Sequence, residues 1–288
     1  MKPVIENLYQ EFKRGDIDRR TFLKRLVPLV GGTAAALTFL NTVEGNNVYA
    51  GIPAETEQPG LYTEMIEYPA PGGKVKAYLA KPNLEGKFPA VIVIHENRGL
   101  QPHIKDVTRR MAQEGFVAIG PDALSPLGGT PDNDEDKARA MMQELDSKAT
   151  VDNFVAAVAY LKTNPLTTGK VGCTGFCWGG SMTNQIAVNA PDLNAAVPYY
   201  GGQPATEDVP KIKASMMMHY AGEDTRINQG IPAFEEALKK AGIEYKMFIY
   251  DGAQHAFNND TNPDRYNKEA AELAWGRTIE FFKEKLNS

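Results

Sequence analysis

The chain has 288 residues, 42% hydrophobic and 23% charged, with a formal net charge of −5. These values suit a soluble globular protein of one large domain or two small ones, and they exclude a basic nucleic-acid-binding surface. The two cysteines, Cys173 and Cys177, are too few for a disulfide framework or a zinc site. The four histidines, at 95, 103, 219 and 255, lack metal-ligand spacing: His95-Glu96 begins like H-E-x-x-H, but Gly99 stands where the second histidine is needed. No metal and no cofactor is expected.

Residues 1–50 read as an export leader or N-terminal extension, and 51–288 as the catalytic domain. Asp18-Arg19-Arg20-Thr21-Phe22-Leu23-Lys24 resembles a twin-arginine export motif, a weakly apolar run covers 26–40, and Val48-Tyr49-Ala50 offers a cleavage site ending in a small residue. The run is about 15 residues long, short of the ~20 a spanning helix requires. The expectation is delivery by the export machinery to the periplasm or beyond, with no stable membrane insertion after leader removal. The alternative is an amphipathic helix kept on a cytoplasmic protein, since Asp18 stands where such motifs usually carry Ser or Thr.

From residue 61 the pattern changes. Segments 61–68 and 75–81 alternate apolar and polar around Pro71-Gly72-Gly73, which predicts an antiparallel pair. Segment 88–94, FPAVIVI, is continuously apolar and β-branched, as a strand buried on both faces must be. Ile104, Val107, Met111 and Ala112 recur at helical spacing, and Gly115 ends that helix. A short strand follows at 116–119, then a loop over 123–132. Residues 134–164 read as helix with a break near 146–150 and Pro165 as stop. Strand–helix alternation continues: strand 171–176, helix 179–190, strand 195–200, strand 214–220, helix 231–241, strand 245–250, helix 264–286. This is an α/β fold: a mostly parallel central sheet with an antiparallel start and helices on both faces. Chemistry should sit at the carboxyl ends of the strands, where Glu96, Cys177, Asp224 and His255 all fall.

Residues 175–179, G-F-C-W-G, form a nucleophile elbow with Cys in place of Ser, between a strand and a helix. Larger side chains at Gly175 or Gly179 would collide in so tight a turn. Asp224 and then His255 follow, giving nucleophile, acid, histidine, the chain order of α/β-hydrolases. A free thiol ionises near pH 8.5, so it needs an imidazole to take its proton and a carboxylate to orient that imidazole. Asp224 is preferred over Glu223 because it completes a small-residue turn, Ala221-Gly222. Ser181 falls a full turn into the helix, away from the tip.

The stretches Ile94-His95-Glu96-Asn97-Arg98-Gly99, Pro121-Asp122, Gly175-Phe176-Cys177-Trp178-Gly179-Gly180, Tyr199-Tyr200-Gly201-Gly202, Gly222-Glu223-Asp224 and Gly252-Ala253-Gln254-His255-Ala256-Phe257 resemble the dienelactone hydrolase family. The likeness runs from about residue 60 to 285. It implies an α/β-hydrolase fold and cleavage of a small ester or lactone through a Cys-His-Asp triad with a thioester intermediate. It implies that Glu96 accepts a hydrogen bond from the resting nucleophile. It also implies an oxyanion hole from the backbone N–H of Trp178, with a second donor near Asn97. The chain departs from the pattern where relatives carry arginines for a substrate carboxylate: Ala123-Leu124-Ser125-Pro126 stands at one such place and Asn258-Asn259 at the other. The family's carboxylated lactone is therefore not carried over with the reaction. Arg98 is a candidate cation, and Phe176, Tyr199 and Tyr200 are candidates for an aromatic pocket wall. The expected assembly is a monomer or homodimer. The rival readings are a thiol redox protein pairing Cys177 with Cys173 and a non-catalytic binding protein on a hydrolase scaffold.

Overall fold

The structure is a computed structural model that describes residues 60–287, the helix Arg19–Val30 and the single positions Leu8, Glu11 and Ile17. The chain divides into two compact units, Met1–Ala50 and Gly51–Ser288. In the first, α1 (Arg19–Val30) begins at the paired arginines. The rest of the apolar run, 31–40, and the Val48-Tyr49-Ala50 site lie outside the described residues. Among the described residues no helix is long and apolar enough to cross a membrane.

In chain order the second unit holds β1 (Leu61–Ala70), β2 (Gly73–Pro82), β3 (Phe88–Ile94), α2 (Pro102–Gln113), β4 (Val117–Pro121), α3 (Glu135–Gln143), α4 (Ser147–Thr163) and β5 (Thr167–Phe176). Then come α5 (Trp178–Asn189), β6 (Ala195–Tyr199), β7 (Ser215–Ala221), α6 (Thr225–Asn228), α7 (Ile231–Ala241), β8 (Tyr245–Tyr250) and α8 (Lys268–Leu286). The strands form one sheet in the order β1-β2-β4-β3-β5-β6-β7-β8. β2 runs antiparallel to β1 and β4, and every pairing from β4 to β8 is parallel. This is the α/β-hydrolase architecture.

FPAVIVI is apolar throughout because both faces of β3 are covered: residues 89–94 are all buried. Alternate residues serve opposite layers. Ile92 and Ile94 pack with Phe154 and Leu161 of α4, Ile186 of α5 and Phe234 of α7. Val91 and Val93 pack with Ile104 and Met111 of α2 and Phe282 of α8. Each such side chain contributes about 1.5–3 kcal/mol of burial free energy, so the two layers pin the register of the strand that carries Glu96.

Short polar side chains set where the helices begin. Asp146 accepts from Ala149 N at 2.7 Å, which breaks the helical stretch into α3 and α4. Asn267 accepts from Ala270 N at 3.1 Å, so the last helix starts at Lys268 and not at 264. Residues 262–266 instead form turns, with Arg265 N and Tyr266 N both donating to Asn262 O.

Candidate active site

The central strands end together, and four loops meet there. Cys177 is the single residue between β5 and α5, with φ 57° and ψ −113°. For a residue with a Cβ this conformation costs on the order of 1–3 kcal/mol. Its backbone is clamped: Cys177 N donates to Tyr199 O at 3.1 Å, and Cys177 O accepts from Ser181 N at 3.1 Å. The flanking glycines are there for close approach. A Cβ on Gly175 would lie 2.2 Å from Gly179 O, and one on Gly180 would lie 2.4 Å from Tyr199 O. The described non-glycine residues with positive φ are Asn133, Cys177, Tyr200 and Ala256. The last three belong to the elbow, the end of β6 and the loop of His255, so strain gathers where the side chains converge.

Cys177, His255 and Asp224 lie in line. Cys177 Sγ is 3.0 Å from His255 Nε2. His255 Nδ1 donates to Asp224 Oδ2 in a very short hydrogen bond. That bond fixes the proton on Nδ1 and leaves Nε2 free to accept from the thiol. Asp224 is itself held as the cap of α6, where its Oδ1 accepts from Ile227 N at 3.3 Å. The acid and base loops are joined by Gly222 N to Tyr250 O at 2.8 Å and Glu223 N to Ala253 O at 3.0 Å. Glu223 is exposed, whereas Asp224 is buried.

Burial foremost, and then the charge of Glu96, push the Cys177 thiol up to about 11. A hydrogen bond from the Trp178 backbone N–H and the charge of Arg226 pull the other way, and Asp224 pushes up again. A thiol raised this far is protonated at neutral pH, and its sulfur lies against the His255 ring.

Glu96 sits at the end of β3, partly buried, where its Oε2 accepts from Asn259 Nδ2 at 3.0 Å. It acts on the thiol through its charge, while the sulfur's hydrogen-bonding side chain is His255. This differs from the resting contact that the resemblance implies: the asparagine on the loop after His255 takes the carboxylate instead. His95 fixes the backbone beside it. Its Nδ1 donates to Glu96 O at 2.6 Å and its Nε2 accepts from Ala123 N at 3.1 Å. The ring is neutral, because complete burial drives its pKa down, and it stacks on the Trp178 indole with centroids 5.4 Å apart. Asn97 is partly buried on the same turn.

Other candidates are placed differently. Arg98 is exposed and forms an ion pair with Glu135 of α3, so its charge is engaged away from the thiol. Phe176 and Tyr199 lie beneath the site: both are at most 1% exposed, and the Tyr199 hydroxyl bonds Thr278 Oγ1 of α8 at 2.6 Å. They are core residues, not pocket wall. Tyr200 is buried too, but its ring meets the His255 imidazole edge-on at 5.1 Å. Ser181 Oγ accepts from Gly202 N at 2.7 Å, one turn below the tip. Both cysteines are free. Cys173 is fully buried, its thiol pushed up to about 12 by that burial.

A cleft of about 420 Å³ opens on the acid–base end of this line, lined by Glu223, Asp224, Gln254, His255 and Arg265. That is the scale of a small-molecule site. Among the described residues no group of three or more His, Cys, Asp or Glu side chains could hold a metal ion. Sequence reasoning assigned no role to His95 or Arg226, and it met Asn259 only as a departure from the family pattern, not as a partner of Glu96.

A match to the dienelactone hydrolase family spans residues 75–286. The chain is 38% identical to the usf protein of Aquifex pyrophilus, over 77% of this chain and 99% of that one. It is 34% identical to a protein assigned as a carboxymethylenebutenolidase in Saccharolobus solfataricus, over 76% of this chain and 97% of that one. Among solved structures, one assigned as a dienelactone hydrolase from Klebsiella pneumoniae superposes with a TM-score of 0.68 at 27% identity, covering 77% of this chain and 98% of that one. The chain thus belongs to the dienelactone hydrolase family and is a hydrolase of the ester- and lactone-cleaving type.

Proposed function

We propose that this protein cleaves the ester or lactone bond of a small substrate through a covalent thioester on Cys177. The carrying observation is the thiol 3.0 Å from His255 Nε2 at the tip of a strained elbow, with Asp224 on the far side of the ring. The sulfur attacks the carbonyl carbon while His255 takes its proton, so no free thiolate needs to exist beforehand. That order suits a thiol pushed up to about 11. Charge on the carbonyl oxygen is met by the Trp178 backbone N–H and a second donor at Asn97. The imidazolium, stabilised by Asp224, returns its proton to the departing alkoxide. Water then attacks the thioester with His255 as base, releasing the acid and restoring the thiol.

A disulfide-based redox role is disfavoured by Cys173, whose thiol is buried and turned to Thr183 Oγ1 at 3.8 Å. Residues 1–50 are proposed to direct twin-arginine export to the periplasm; an intact mature N-terminus found by mass spectrometry in the native host would refute that. The catalytic reading is tested by a panel of p-nitrophenyl esters and simple lactones with wild type and Cys177→Ala. Loss of turnover in the variant is expected. Unchanged turnover, or a wild type inert to the panel and unlabelled by thiol-directed acyl probes, would sink it.

A further inference from the structure

Glu96 is a charged group beside a thiol that must stay on its histidine. An ionised carboxylate next to an S–H is a natural acceptor for it, and every such contact competes with His255. One contact in the structure bears on that competition. Asn259 Nδ2 donates to Glu96 Oε2 at 3.0 Å. The amide cannot turn round, because its Oδ1 accepts twice from one residue, from Thr261 N at 3.0 Å and Thr261 Oγ1 at 2.6 Å. A backbone N–H only donates, so the oxygen must face Thr261 and the NH₂ must face Glu96. The loop is anchored in turn. The side chain of Asp260, next in the chain, is only 2% exposed and pairs with Arg110 Nη2 at 2.7 Å and His103 Nδ1 at 3.4 Å, both on α2. Burial works against its ionisation, but His103 and Arg110 outweigh that and keep it charged.

We propose that Asn259 is a positioning residue that clamps Glu96 away from Cys177, so that the resting thiol is engaged with His255 before substrate arrives. This rests on the Cys177 reading and specifies how its nucleophile is held. The groups facing the thiol are Glu96, Asp224, Arg226, His255 and the Tyr200 hydroxyl. Of these, only Glu96 is held by Asn259, so the clamp acts through that one carboxylate. When the clamp is absent, Glu96 is free to accept the S–H, which favours the protonated thiol and draws it off the imidazole.

The test is the pH dependence of Cys177 alkylation by iodoacetamide, read by peptide mass spectrometry, in wild type, Asn259→Ala, Glu96→Gln and the double variant. Alkylation needs no ester substrate, so its outcome is separate from the success of the hydrolase reading. Asn259→Ala should raise the apparent thiol pKa by about one unit and slow alkylation about tenfold at pH 7. Glu96→Gln should lower it, and adding Asn259→Ala to Glu96→Gln should change nothing further. A profile unmoved or lowered by Asn259→Ala would overturn the proposal. So would an equal shift in both backgrounds, the signature of a general loop disturbance. If Asn259→Ala does not fold, Thr261→Val decides: it should shift the profile the same way by less, and no shift overturns the clamp.

Discussion

Replacing Gly179 by alanine probes how closely the elbow must sit against the end of β3. A Cβ there would lie 2.5 Å from both His95 O and Ile94 O, and 2.9 Å from Ile94 C. All three are backbone atoms, so no side chain can swing aside. Restoring normal contact requires the elbow and the β3 end to part by about 1 Å. Overpacking of this kind costs about 1–3 kcal/mol, which lowers the melting temperature of a domain this size by roughly 2–12 °C. The variant should therefore fold at 25 °C. Its chemistry should suffer more. The parting separates Trp178, on the elbow, from Glu96 and Asn97, on the β3 turn, and a misplacement of about 1 Å costs on the order of 100-fold. The assay is steady-state kinetics on whichever p-nitrophenyl ester the wild type turns over, beside a thermal melt followed by circular dichroism. The loss should fall mainly in kcat. A folded Gly179→Ala protein with kcat/KM within about threefold of wild type would refute the claim that this contact positions the reacting groups.

Three further outcomes are expected. Cys173→Ser should keep full activity and cost no more than about 1–3 kcal/mol, since the hydroxyl retains Thr183 as a partner; loss of turnover would revive the redox reading. Gly276, on α8, has nothing within 4 Å of an added Cβ, so Gly276→Ala should stabilise the protein by about 0.5–1 kcal/mol in urea denaturation. His219 is fully buried, and that burial foremost, with the charge of Arg277, lowers its pKa from 6.5 to about 3. A depressed histidine holds its stability above pH 6.5 and loses it as pH falls, because only the unfolded chain takes the proton. Wild type should lose about 2 kcal/mol more than His219→Gln between pH 7 and pH 5; equal losses would mean that the imidazole protonates in the fold.

Much of this was legible in the chain because the governing signals are local. β-branched runs such as FPAVIVI mark strands covered on both sides, and G-F-C-W-G marks an elbow because each glycine answers a backbone contact within a few ångströms. The convergence of Cys177, Asp224 and His255 was legible because strand ends in a parallel sheet share one edge, so order along the chain maps to proximity. The pocket wall was not. In a strand buried on both faces, Phe176 and Tyr199 carry no mark that separates core from surface, and the structure places them beneath the site. Arg98 read as a candidate cation for the substrate, and only folding shows that α3 brings Glu135 to it. The start of α8 hinged on one cap, Asn267, that outcompetes the helical pattern before it. Asn259 lies 163 positions from Glu96, and nothing within a window of the sequence could couple them.

The most direct measurement of the central claim is a rapid acid quench of wild type during turnover of an activated ester, followed by peptide mass spectrometry. The acyl group should be found on Cys177, labile to hydroxylamine, and absent from the Cys177→Ala protein, which should not turn over. An acyl group on any other residue, or full turnover by Cys177→Ala, would contradict the account.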